Sequence, residues 1–264
     1  VRTLYRAISG KEVGGEPLPL TFKSLQQNEI VLRRAELNLI AGTPGAGKSS
    51  IALAIAVQAQ VPTLYMSADT NAHTMGMRVV AMATGMTQSN AEQILKQDKD
   101  SAENILKQFD YLRWSFESSP TLSDIDESVQ AFETTWGTSP TLIVIDNLMD
   151  IAMDGHEEFS GMRAAMKELK YLARDTNACV LVLHHTKEGF IGTPCQPRSA
   201  IQGLVNQIPA LILTIGQEII GESIYLCVAA VKNRYGRADA TGNTFTMLSF
   251  DPASMQLKDV KTSD

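Results

Sequence analysis

A chain of 264 residues, 44% of them hydrophobic, is long enough to bury a sizeable core as a single α/β unit. Its formal net charge of −6 and pI near 5.3 argue against a uniformly basic coat for nucleic acid, while leaving room for a local basic channel. Cys179, Cys195 and Cys227 show no C-x-x-C spacing, which disfavours a zinc site or disulfide framework and fits a reducing, cytoplasmic setting; no run reaches the roughly 18 apolar residues of a membrane span.

Residues 1–20 hold several Gly and Pro residues and little periodicity, so they are expected to form an arm, with 21–264 as one domain. From about residue 36, apolar runs alternate with helical patterns, the sign of a mostly parallel central sheet with helices on both faces. Leu37 to Ala41 is a short apolar run, followed by a Gly-rich turn and an Ala-rich helix from Ser49 to Gln60. Pro62 to Met66 reads as a second strand, and Met75, Met77, Met82 and Met86 as flexible core filling. The stretch 91–109 is polar and helix-favouring. Leu122, Ile125, Val129, Phe132 and Trp136 recur at 3-4-3-4 spacing, predicting an amphipathic helix opened by a Thr121/Asp124 capping pattern.

Leu142 to Ile145 and Cys179 to Leu183 read as buried strands. Between them lies a second amphipathic helix from Gly161 to Arg174, with Met162, Met166, Leu169 and Leu172 on one side. The last third changes character: Ala210–Ile215, Ile224–Val231 and Thr244–Phe250 are strand-like and separated by Gly-containing turns, which predicts an antiparallel extension.

Gly42-Thr43-Pro44-Gly45-Ala46-Gly47-Lys48-Ser49 fits G-x-x-x-x-G-K-[ST] completely, with a strand before it and a helix after. Glycines let the backbone curl until successive N–H groups point at phosphate oxygens, and the helix adds its positive end. Thr43, Pro44, Gly45, Ala46, Gly47, Lys48, Ser49 and Ser50 are therefore the expected contacts of ATP. Lys48 is expected to reach the β and γ phosphates and Ser49 to ligate Mg²⁺. Leu142-Ile143-Val144-Ile145-Asp146 delivers a carboxylate at the end of a buried strand, the Walker B pattern, and Asp146 is the second expected Mg²⁺ group. Asn147 follows it, so the group that orients the attacking water must come from elsewhere. Asp69, after the second strand, is the candidate, with helix capping as its competing role.

In this order the motifs resemble those of the RecA/DnaB-like ATPase superfamily, in particular the ATPase domain of replicative hexameric helicases and its phage-encoded relatives. The likeness spans roughly residues 20–250, with specific matches confined to islands. It implies a RecA-like P-loop NTPase fold, ATP and Mg²⁺ as ligands, and assembly into a homo-oligomer, a hexameric ring, on single-stranded DNA. The family usually places Glu after the second strand; Asp69 is shorter. Where the helicases tend to have Ser-Gln as γ-phosphate sensor, this chain has His184-His185; a neutral imidazole keeps that chemistry available, and His184 is assigned the catalytic role.

Residues 186–203 occupy the place of the loop that grips DNA in the channel, so the resemblance offers Lys187 and Arg198 as contacts to backbone phosphates. The acidic segment from Asp150 to Phe159 would repel DNA. Lys232-Asn233-Arg234-Tyr235-Gly236 resembles the K-x-R-x-G element by which ring helicases reach a neighbour's nucleotide, making Lys232 and Arg234 expected trans-acting catalytic groups. The leading expectation is a DNA-dependent ATPase of helicase type. A recombination protein that anneals single strands, and an ATP-gated regulator that binds only protein, are the alternatives.

Overall fold

The computed structural model describes residues 15–153, 158–187 and 192–260. In chain order the elements are α1 (Lys23–Gln27), β1 (Leu37–Gly42), α2 (Lys48–Ala59), β2 (Thr63–Ser67), α3 (Ala72–Thr84), α4 (Gln88–Gln97), α5 (Lys99–Leu106) and β3 (Leu112–Ser115). They continue with α6 (Leu122–Trp136), β4 (Leu142–Asp146), α7 (Glu158–Asp175), β5 (Cys179–His185), β6 (Leu211–Ile220), β7 (Ser223–Asn233), β8 (Thr246–Asp251) and β9 (Gln256–Asp259). One nine-stranded sheet runs in the order β3-β2-β4-β5-β1-β6-β7-β8-β9. Strands β1 to β6 pair in parallel and β6 to β9 antiparallel.

Strands β1, β2 and β4 are buried along their whole length, as strands covered on both faces must be. Alternation sends their side chains into two cores. On one face Ile40, Tyr65, Val144 and Leu181 meet Ile51, Leu53 and Ile55 of α2 and Met75 and Val79 of α3. On the other, Leu39, Ile143 and Val180 meet Ile125, Val129 and Phe132 of α6 and Met162, Met166 and Leu169 of α7. The capping box at α6 is complete: the Thr121 hydroxyl accepts from the Asp124 N–H at 3.2 Å, and the Asp124 carboxylate accepts from the Thr121 N–H at 2.8 Å.

Of the expected arm, residues 1–14 lie outside the described residues. Residues 15–20 lie along the body, where the Leu18 N–H donates to the Leu32 carbonyl at 2.9 Å and the Leu18 side chain is buried. Two four-residue strands, β3 and β9, extend the sheet beyond the sequence reading. Strand β6 runs five residues past the expected Ile215, because its hairpin with β7 stays paired as far as Ile220.

Candidate functional site

The loop between β1 and α2 turns on two glycines, Gly45 and Gly47, with φ of +76° and +99°, a region open to glycine at little cost. A Cβ on Gly47 would lie 2.8 Å from Leu226 Cδ1, and one on Gly42 would lie 3.0 Å from the Ile215 carbonyl oxygen. Strands β6 and β7 thus brace the loop from behind, and Gln217 Nε2 donates to the Gly45 carbonyl at 3.2 Å. Thr43, Pro44, Gly45, Ala46, Gly47, Lys48, Ser49 and Ser50 wrap the start of the twelve-residue α2. Its free N–H groups and dipole favour an anion there.

Lys48 is 8% exposed. Its ammonium donates to the Gly42 and Thr43 carbonyls at 3.1 and 3.0 Å and lies 3.4 Å from His185 Nδ1. Burial lowers its pKa, with Asp146 and Asp69 pulling the other way. Asp146 ends β4 and is 7% exposed. Burial raises its carboxyl above the usual range, opposed by hydrogen bonds from the Ser49 and Tyr65 hydroxyls. The Tyr65 bond measures 3.2 Å. Asp69 lies in an exposed turn after β2, and its charge acts on Lys48, Asp146 and His185 alike. Capping of α3 falls instead to Asn71, whose side chain accepts from the Thr74 N–H at 3.0 Å.

The histidines divide by strand geometry. In the parallel register Gly42 lies opposite His185 and Ala41 opposite His184. Successive side chains point to opposite faces, so one ring of the pair faces the loop lysine, and it is His185. His184 is fully buried, and its Nε2 donates to the Gln202 carbonyl at 3.2 Å while Nδ1 has no hydrogen-bond partner among the described residues. Burial pushes its pKa down to about 4, so the ring is neutral at pH 7. His184, which the sequence reading offered at the phosphate, sits beneath the loop that follows β5, and the ring beside Lys48 is that of the next residue, His185. Period-2 alternation says that the two rings face opposite ways, and the register of β1 against β5, which the sequence does not carry, says which of them meets the loop. Tyr65 and Gln217 were also missed, being brought to the site through space.

Lys187 is exposed, and its N–H donates to the Ala200 carbonyl at 2.8 Å. Residues 188–191 of the expected grip, and 154–157 of the acidic segment, lie outside the described residues. Arg198 is exposed, and its carbonyl accepts from Asn206 Nδ2 at 3.3 Å. Lys232, on β7, donates from its ammonium to the Asn206 and Gln207 carbonyls at 3.3 and 2.7 Å. Burial, then the charges of Arg234, Arg198 and Lys170, push its pKa down to about 8. Arg234 lies 3.8 Å from the Glu36 carboxylate, which also accepts from the Tyr235 hydroxyl.

These two cations stand away from their own phosphate loop. The Arg234 N–H donates to the Ala210 carbonyl, and the Ala210 N–H to that of Leu37, which levels Arg234 with the first residue of β1. Gly42 is at the other end of that strand, about 16 Å along it at 3.3 Å per residue.

A family model described as an AAA domain matches residues 26–189. The chain is 34% identical over 252 residues to the gene 65 protein of Mycobacterium phage L5, covering 93% of this chain and 94% of that protein. Among solved structures, a chain described as an ATPase domain superposes with a TM-score of 0.77 at 14% identity, covering 98% of this chain and 96% of that one. A DnaB-like replicative helicase gives a TM-score of 0.75 at 14% identity, with 98% of this chain matched to 65% of the helicase. At such identities the structural likeness speaks for the fold, and the family match speaks for descent. Together with the phosphate loop and the carboxylate that ends β4, they make the chain a member of the AAA-domain family of P-loop ATPases, built on the RecA/DnaB-like fold.

Proposed function

We propose that this ATPase is a helicase-like ring motor that hydrolyses ATP while acting on single-stranded DNA, each nucleotide site being completed by the next subunit. The observation that carries this reading is the placement of Lys232 level with Leu39 and of Arg234 level with Leu37, about 10 and 16 Å along β1 from Gly42. Neither can reach its own phosphate loop, yet both lie at an edge that a neighbour stacked head to tail would meet.

The residues at the loop fit a magnesium-bound triphosphate. Ser49, at the start of α2, and Asp146, at the end of β4, offer oxygens beside the loop, and Mg²⁺ commonly takes one or two protein oxygens together with phosphates and water. When bound, the ion neutralises charge between the β and γ phosphates. In this reading Lys48 holds those phosphates, and Asp69 orients the attacking water and takes its proton. His185 senses the γ-phosphate through a neutral imidazole, while His184 transmits that contact to the loop at Gln202. Lys232 and Arg234 from the neighbouring subunit stabilise charge developing on the transferred phosphoryl. Lys187 and Arg198 contact the DNA backbone, so affinity is insensitive to sequence and sensitive to salt.

The test is the mass of the assembly with a non-hydrolysable ATP analogue, with and without an oligonucleotide, alongside ATP turnover. A multi-subunit ring and turnover stimulated by single-stranded DNA are expected. Full turnover by a monomer would overturn the shared site. Unwinding of a forked duplex marks the helicase, whereas pairing of complementary strands without hydrolysis would mark an annealing protein.

A further inference from the structure

Helix α7 has two flanks of opposite charge. Glu168, Tyr171, Leu172 and Asp175 face α6 across a groove that Asp126 and Glu133 also line. On the other flank stand Arg163, Lys167, Lys170 and Arg174, at the i, i+4, i+7, i+11 spacing that stacks residues along a single helical face. Three of them are exposed and Lys170 is half-buried. None makes an ion pair among the described residues. Arg163 with Lys167, and Lys170 with Arg174, are like-charge pairs four residues apart, an arrangement that weakens a helix. The helix dipole favours Arg174, in the last turn, but helix stability gives no reason for Arg163, Lys167 and Lys170.

The stripe continues beyond α7. Met162, on the buried side, packs against the turn at Gly203, and the charge of Lys170 reaches Lys232, as does that of Arg198. Asn206 joins the two: its side chain donates to the Arg198 carbonyl, and its own carbonyl accepts from Lys232. A cationic path thus leads from Arg163 along the helix to the segment that carries Arg198. The chain as a whole is acidic, with a net charge of −6.

We propose that the basic flank of α7, Arg163, Lys167, Lys170 and Arg174, is a track for the phosphate backbone of single-stranded nucleic acid. It rests on the reading of this chain as a DNA-acting ATPase and gives that ligand a surface beyond Lys187 and Arg198. Arg163 and Arg174 stand eleven residues apart, about 16 Å along the helix axis. Tyr171 is on the opposite flank, whereas Phe159, exposed and four residues before Arg163, continues the line of the stripe at its N-terminal end. Contact from Arg163 to Arg174 is therefore with the backbone, and Phe159 offers a ring for a base at one end. A protein partner is a poorer fit, because the stripe from Arg163 to Arg174 carries a charge at each position rather than the aromatic and apolar anchors on which protein interfaces centre.

The experiment follows a fluorescent thymidine oligonucleotide by anisotropy, with the full chain and a non-hydrolysable ATP analogue, between about 50 and 200 mM salt. The variant is Arg163→Gln with Lys167→Gln, both changes to a good helix former. Lys96→Gln, on the distant α4, is the control. The slope of log affinity against log salt should become shallower by about 1.4 in the double variant, at about 0.7 per lost phosphate contact. It should not change in the control, and ATP binding should be unaltered in both. Crosslinking of the unmodified chain to the oligonucleotide should label Lys167 and Lys170. An unchanged slope with these lysines unlabelled overturns the track while leaving DNA action intact. An unchanged slope with a smaller assembly would make the flank a subunit interface and also overturns it. A wild-type chain that binds no oligonucleotide at any salt brings down the DNA reading itself.

Discussion

Lys48, at the start of α2, and Lys232, near the end of β7, hold their ammonium groups in the same way and differ in what surrounds them. Each ammonium donates to two successive backbone carbonyls, Gly42 and Thr43 in one case, Asn206 and Gln207 in the other. Burial lowers the pKa of both. Around Lys48 the nearby charges are the carboxylates of Asp146 and Asp69, which restore the charged form. Around Lys232 they are Arg234, Arg198 and Lys170, which push it further down. Lys48 belongs to a site balanced within its own subunit. The cations at Lys232 repel one another, and an anion from outside would relieve them.

The most severe way to probe this contrast is Lys48→Ala, which should abolish measurable turnover in a coupled ATPase assay; activity that survives would break the assignment of the phosphate loop. Next, Arg234→Ala should cut turnover by about 10³-fold or more with ATP binding nearly unchanged. Mixing it with the Lys48→Ala chain should restore part of the activity, since some interfaces would then pair an intact Lys48 with an intact Arg234. Absence of rescue would break the two-subunit picture.

The pH dependence sharpens it further. Lys232 has a folded pKa of about 8, below an unfolded value near 10.4. Between these values the unfolded chain holds the extra proton, so the isolated subunit gains stability as pH rises through that window. The charged form that docks an anion vanishes over the same interval. Nucleotide-driven assembly should accordingly weaken several-fold above pH 8, as read by sedimentation, and Lys232→Arg should shift the loss upward.

His184, beneath the segment that leads to Asn206, offers a smaller effect. Its folded pKa of about 4 against an unfolded value near 6.5 means that the unfolded chain takes up a proton that the folded one refuses. Stability held above pH 6.5 is lost as pH falls toward 4, by up to about 3 kcal/mol. Urea midpoints at pH 7 and pH 5 should converge in His184→Gln. Smallest is Thr121→Ala, which touches neither lysine and should cost about 1 kcal/mol through the cap of α6. Its turnover should match the parent chain, which sets the baseline for the others.

Contiguous features were readable before any coordinates. The G-x-x-x-x-G-K-S run, the apolar strand ending at Asp146 and the Thr121–Asp124 capping box each depend on residues within a few positions of one another. The parallel sheet with its antiparallel third likewise followed from alternating patterns and the loss of long helices. What sequence could not supply was register. Choosing between His184 and His185 requires knowing that Gly42 faces the latter. Arg198 was grouped with Lys187 because both lie in one loop, whereas Lys232 on a separate strand shares its electrostatic neighbourhood. Asp69 and Asn71 are both good caps, and only the backbone decides that Asn71 serves. Strands as short as β3 and β9 leave too few residues for a pattern.

Leu226, against which Gly47 rests, and Lys232 belong to the same strand, six residues or about 20 Å apart. Between them the backbone is paired with β6, with one bulge before Lys232, and with β8 as far as Val228, which holds it extended. In a closed ring of such subunits, each β7 would therefore act as a strut, with one end behind its own triphosphate and the other against the next, so that a shift of the phosphate loop on release of product would be felt as a push or pull at the adjoining ATP.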